Sequence, residues 1–211
     1  MLKKHALDPI KLIWLFAGSL IINTGVSFIW PLTTIYIHNY LHETLTVAGI
    51  VLFINSAFTM VGNAVGGLLF DKWHPYQTLL TGVSISTLST FLLVLFHGWP
   101  AYPILLITLG LGNGIVVTGL NSIATLIQSR NASYVFNVLY FTQNLGLVFG
   151  SLMVGFILPF GITYIFLLAF IMFAFLSIVI FFEYRGLNQA YASSNKKTTT
   201  AVDQDKIPYG G

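Results

Sequence analysis

The sequence predicts an all-α integral membrane protein with six spanning helices and both chain ends on the cytoplasmic side. Three observations carry that prediction. Of 211 residues, 56% are hydrophobic and only 7% charged, whereas a water-soluble domain carries about a quarter charged residues. Six long runs contain no Asp, Glu, Lys or Arg. Every Lys and Arg lies on alternate connections between those runs. So few charges cannot cover a water-facing surface, so most of the chain faces lipid or other helices.

The runs are 12–36, 45–70, 77–97, 102–128, 134–158 and 162–182. Each exceeds the roughly 20 residues needed to cross about 30 Å of hydrocarbon. Helices are required because backbone donors and acceptors in lipid must be satisfied within the segment. A barrel would show alternating runs of about ten residues, and none occurs here. Met1, Lys3 and Lys4 before the first run have the look of a signal peptide. That run is too long for a signal peptide and has no small-residue cleavage pattern, so it reads as a retained first helix. Pro31 should kink it.

The breaks 38–44, 71–76, 98–101, 129–133 and 159–161 are short and have turn chemistry. They predict an up-and-down bundle over 12–183 with antiparallel neighbours, preceded by an arm at 1–11. Residues 184–211 are polar and read as a mobile cytoplasmic tail or linker. Orientation follows from the nine cations. Lys3, Lys4 and Lys11 lie in the arm, Lys72 in the second loop and Arg130 in the fourth. Arg185, Lys196, Lys197 and Lys206 lie in the tail. The other loops have none, which places both termini inside. The net charge of +3 therefore reports membrane orientation and not nucleic-acid binding.

The second run ends Gly66-Gly67-Leu68-Leu69-Phe70-Asp71-Lys72. This resembles the signature loop of the major facilitator superfamily, although His74, Pro75 and Tyr76 stand where that pattern has a Gly and two basic residues. The resemblance implies the N-terminal half of a transporter built on a three-plus-three helix repeat, rocking against a second half around a central site. Gly67 would admit a neighbouring backbone, and Asp71 would face the positive end of a neighbouring helix. Gly67, Asp71, Lys72 and Arg130 form the expected gating set, with Asp71 and Arg130 as an ion pair. A register shift of 83 sets Phe58, Thr59, Val65, Gly67 and Leu69 over Phe141, Thr142, Val148, Gly150 and Leu152, as such a repeat would.

In the fifth run, Gly146, Gly150, Ser151 and Gly155 resemble the antiporter motif of the drug-efflux branch, with Ser151 in place of its proline. Small-residue helix packing explains the same glycines. Asn23, Ser27, Trp30 and Thr34 form one stripe on the first helix. Asn137, Tyr140 and Asn144 form another on the fifth, and Asn113, Thr118 and Asn121 lie on the fourth. The substrate-cavity candidates are Asn23, Trp30, Asn113, Tyr140 and Asn144; the alternative is that these amides only fasten helices together. The family implies that helices one, two, four and five line the pathway. The sixth run is apolar enough to face lipid.

No run holds a carboxylate, Lys or Arg, the usual marks of an ion relay. His97 lies at a run boundary and reads as interfacial. No cysteine, zinc-protease, nucleophile-elbow or phosphate-loop motif is present. Enzymatic activity, metals and cofactors are therefore not expected. The expected partners are the bilayer, a small apolar or amphiphilic substrate, and a second six-helix half or a homodimer, in the cell membrane. Drug export, with proton antiport as its coupling, is the first expectation for function. An oligomeric channel or scaffold is the alternative.

Overall fold

The computed structural model describes residues 10–189 and 191–192. Six helical spans long and apolar enough to cross a membrane are present: Leu12–Tyr40, Leu45–Lys72, Pro75–Leu95, Ala101–Leu126, Ala132–Phe160 and Ile162–Glu183. Their ends depart from the expected ones by a few residues, for local reasons.

The first helix stops at Ser27, four residues before Pro31. That is the carbonyl a proline ring obstructs. The chain turns through 28–31, re-forms one helical turn at Leu32–Ile35 and widens into a π-helical turn at Tyr36–Tyr40. Thr44 caps the second span, its side-chain oxygen accepting from the Val47 N–H at 3.3 Å. Pro75 opens the third span at a position where no intrahelical N–H is needed. The fifth span tightens into a 3-10 turn at Leu158–Phe160. It ends at Gly161, whose φ of 124° suits glycine.

Packing order does not follow chain order. The first span packs on the fifth and sixth, the second on the fourth, and the third on the fourth and sixth. Consecutive spans two and three, four and five, and five and six meet only thinly. The short loops reverse the chain, and of the consecutive pairs only spans three and four are main packing partners.

Exchanging spans one, two and three for four, five and six maps these contacts onto one another. Pair two–four becomes five–one, three–four becomes six–one, and three–six returns to itself. The three-plus-three repeat is therefore visible in the packing.

The expected register of that repeat is one residue out. A Cβ on Gly62 would meet the Leu111 carbonyl oxygen, and one on Gly66 would lie 2.8 Å from Ile115 Cα. On the other seam, a Cβ on Gly146 would lie 2.7 Å from Leu20 O, and one on Gly150 2.6 Å from Thr24 O. Gly62 and Gly66 therefore correspond to Gly146 and Gly150, a shift of 84. Phe58 and Phe141, which anchored the other register, are 42% and 63% exposed and carry no packing constraint.

Gly67 is also corrected. A Cβ on Gly67 would meet only the Thr118 methyl, at 3.8 Å, so Gly66 and Gly62 provide the close approach.

Hydroxyl pairs fasten the seams. Thr87 meets Ser177 at 2.8 Å between the third and sixth spans, and Ser89 meets Thr108 at 2.8 Å between the third and fourth. Thr33 meets the Tyr102 hydroxyl at 2.9 Å between the first and fourth. The Ser and Thr residues of the third span serve packing, as interhelical hydrogen bonds do in lipid.

The segment after the sixth span is not a loose tail at its start. Tyr184 and Leu187 are fully buried. The Tyr184 hydroxyl donates to the Trp14 carbonyl at 2.9 Å, and Tyr191 packs edge-on to Phe70 at 5.5 Å. Asn188 Oδ1 accepts from the Tyr76 N–H at 3.0 Å. That contact satisfies one of the open donors at the start of the third span. Arg185 lies 4.1 Å over the Phe181 ring. Tyr184, Leu187 and Tyr191 are an apolar set that an average over a polar stretch conceals. The cations at 196, 197 and 206, the arm at 1–9, and the rest of the tail lie outside the described residues.

Candidate functional site

A cavity of about 640 Å³ lies among the first, second, fourth and fifth spans and touches neither the third nor the sixth. The break at Pro31 shapes its wall. By ending the helix at Ser27, it sets Ile29, Trp30 and Pro31 against the opening, and Trp30 is 56% exposed. The second span contributes Asn55, Ser56, Thr59, Met60 and Asn63; the fourth contributes Asn113 beside Gly110; the fifth contributes Leu147 and Ser151.

The fourth span is the rigid wall. Gly110 and Gly114 let it press on the second span, and Gly112 lets it press on Ser86 of the third. Asn55 braces the seam, donating from Nδ2 to the Leu106 carbonyl at 2.6 Å. Asn63 Oδ1 accepts from the Thr118 hydroxyl at 3.1 Å. Hydroxyls of Ser27, Ser56 and Thr59 donate to carbonyls one turn back in their own helices, at 2.7, 2.9 and 2.9 Å. Asn113 has no hydrogen-bond partner among the described residues, and its Oδ1 is buried. No charged side chain lines the cavity. The site can hold an uncharged, largely apolar body and meet a few neutral polar groups.

Two of the five cavity candidates, Trp30 and Asn113, lie in this wall. Asn23 does not: its amide donates to Ser19 O at 2.8 Å, and its Cβ sits against Gly146 on the first–fifth seam. Tyr140 is 69% exposed on the open face of the fifth span, and Asn144 donates to its carbonyl at 2.8 Å. Helical periodicity places these residues on a stripe but does not say what that stripe faces. The cavity residues missed are those of the second span. Asn55, Thr59 and Asn63 repeat every four residues, a polar stripe that runs into the glycine-rich end of the same helix.

Of the gating set, Asp71 and Lys72 are exposed at the end of the second span. Arg130 lies 5.7 Å over the Tyr134 ring. No ion pair joins Asp71 to Arg130 among the described residues, so the expected latch is not formed in this structure. Of the fifth-span motif, Gly146 and Gly150 build the seam, Ser151 faces the cavity and Gly155 has nothing within 4 Å.

The second and fifth spans are the least enclosed of the six. Phe53, Met60, Tyr140 and Phe149 stand exposed on them, together with Asn63, Asn137 and Asn144.

A sequence profile of the Major Facilitator Superfamily matches residues 15–206. An uncharacterized MFS-type transporter, YttB of Bacillus subtilis (strain 168), is 37% identical over 193 residues, covering 92% of this chain and 48% of its own length. Among solved structures, the peptide transporter POT in complex with sulfate superposes with a TM-score of 0.76 at 18% identity, over 93% of this chain and 44% of the other. The POT family transporter PepTSo superposes at 0.73 and 19% identity, over 81% and 36%. The chain spans less than half the length of each of these relatives. It belongs to the Major Facilitator Superfamily.

Proposed function

We propose that this major facilitator chain is the N-terminal half of a secondary transporter that moves a small, apolar or amphiphilic, uncharged-headed molecule by alternating access. The observation that carries the reading is the 640 Å³ cavity walled by spans one, two, four and five, with the polar side of spans two and five left uncovered. Amides such as Asn63, Asn137 and Asn144 are expensive against lipid. A second six-span half over that face would enclose them and complete the cavity, giving the partner surface for rocking. A second copy of this chain is the alternative cover.

The fifth-span motif, with Ser151 in the cavity wall, favours export as the direction. The six expected runs hold no carboxylate, Lys or Arg, which assigns the groups for proton coupling to the covering half. The distribution of cations supports both ends facing the cytoplasm in the cell membrane.

Co-reconstitution tests the reading. The chain alone, and the chain with the C-terminal half of the Bacillus subtilis relative, are placed in proteoliposomes with a fluorescent neutral amphiphile under an imposed proton gradient. The pair is expected to accumulate or expel the dye against its gradient, and the chain alone is not. Passive, gradient-independent flux equal in both preparations would instead establish a channel.

A further inference from the structure

We propose that the Asn113 amide is kept for the transported molecule and selects a substrate bearing an uncharged hydrogen-bond donor, such as a carboxamide N–H or a hydroxyl, on an apolar body. This rests on reading the cavity as the transport site.

Three amides line that cavity, and two already hold an interhelical hydrogen bond. Asn55 is spent on the Leu106 carbonyl at 2.6 Å and Asn63 on the Thr118 hydroxyl at 3.1 Å. Asn113 makes no such bond among the described residues, and its carbonyl oxygen is buried without a donor. Buried polar groups in native proteins are nearly always paired, and an unpaired one calls for a ligand or water. The other buried side-chain atoms in that condition, on Ser19, Gln77 and His97, lie away from the cavity. Asn113 is the one that reaches it.

The backbone cannot move to relieve the strain. Gly110 and Gly114 are locked against the second span and Gly112 against the third. Rotation about the Asn113 side chain remains, and a half-turn about Cβ–Cγ would carry the oxygen from its buried position to the cavity wall that Asn113 lines. What that oxygen accepts is an N–H or O–H. An ion of either sign would find no countercharge in this wall, whereas a neutral donor is desolvated at lower cost. Trp30, Met60 and Leu147 supply the apolar contact for the rest of the molecule.

A matched pair of probes tests this on the chain in lipid nanodiscs: naphthamide, with two N–H donors, and its N,N-dimethyl derivative, with none. The readout is the ratio of their dissociation constants by equilibrium dialysis, compared between the unaltered chain and Asn113→Leu and Asn113→Ala. Both variants should shift the ratio about tenfold against naphthamide, with binding of the dimethyl probe retained as evidence of an intact fold. An unchanged ratio in both overturns the role of Asn113 while leaving the cavity as the site. If Ser151→Trp, which fills the cavity, leaves both affinities unchanged, or if neither probe saturates, the cavity reading itself fails and the proposal with it.

Discussion

Gly114→Leu is expected to destroy the packing of the second span on the fourth and to leave little folded protein in detergent. A Cβ at this position would meet the Thr59 carbonyl oxygen, would lie 2.8 Å from Asn63 N and would lie 3.0 Å from Gly62 C. These are backbone atoms of a facing helix, so no side chain can swing aside. Overpacking a core typically costs about 1–3 kcal/mol. A leucine driven into a backbone seam exceeds that range, because the two spans must separate and lose the Asn55–Leu106 bond as well. Within lipid there is no hydrophobic drive to restore them, since association depends on close contact. By contrast, a Cβ at Gly67 meets only the Thr118 methyl at ordinary contact distance and one at Gly155 meets open space, so Gly67→Ala and Gly155→Ala should change stability by no more than about 0.5 kcal/mol. Thermal melting followed by size-exclusion chromatography separates the three. A Gly114→Leu chain that melts with the unaltered protein would contradict the seam.

Ser151→Trp is expected to abolish transport while leaving the fold intact. Ser151 is exposed in the cavity wall, and an indole there occupies the volume a substrate needs. The matching control lies one turn further along the same helix. A Cβ added at Gly155 would meet nothing within 4 Å, and Gly155 does not line the cavity. Gly155→Trp should therefore keep transport near the unaltered rate, whereas Ser151→Trp should fall at least about tenfold, a loss of about 1.4 kcal/mol or more in transition-state terms. Both are read as initial flux in the paired proteoliposomes, with melting temperature as the check on folding. Equal flux from the two variants would remove the cavity from the pathway.

The six spans were legible because lipid imposes a length and excludes charge, and both properties can be counted along a chain. The choice of spans one, two, four and five as the wall came from family resemblance, and the cavity follows it. Packing was not legible at the level of register. Gly62, Gly66 and Gly67 look alike in a sequence; only the facing helix distinguishes the two that press on Leu111 and Ile115 from the one left against a Thr118 methyl. Asn23 and Asn113 likewise sit on similar stripes, yet one closes a seam and the other faces the cavity. The docking of Tyr184, Leu187 and Tyr191 was not legible because three residues are too sparse to mark a helix face without the partners they pack against, such as Phe70.

Single-cysteine accessibility tests the central claim most directly, since the chain has no cysteine of its own. A cysteine is placed at Thr59, Asn113 or Ser151 in the cavity wall, or at Leu88, Ile171 or Phe175, exposed on the third and sixth spans. Each is treated with a charged, water-borne thiol reagent in nanodiscs. The first three should label rapidly and the second three not at all, because only a water-filled cavity brings the reagent to membrane depth. Equal labelling of both groups, or silence from the first three, would contradict a four-walled pathway.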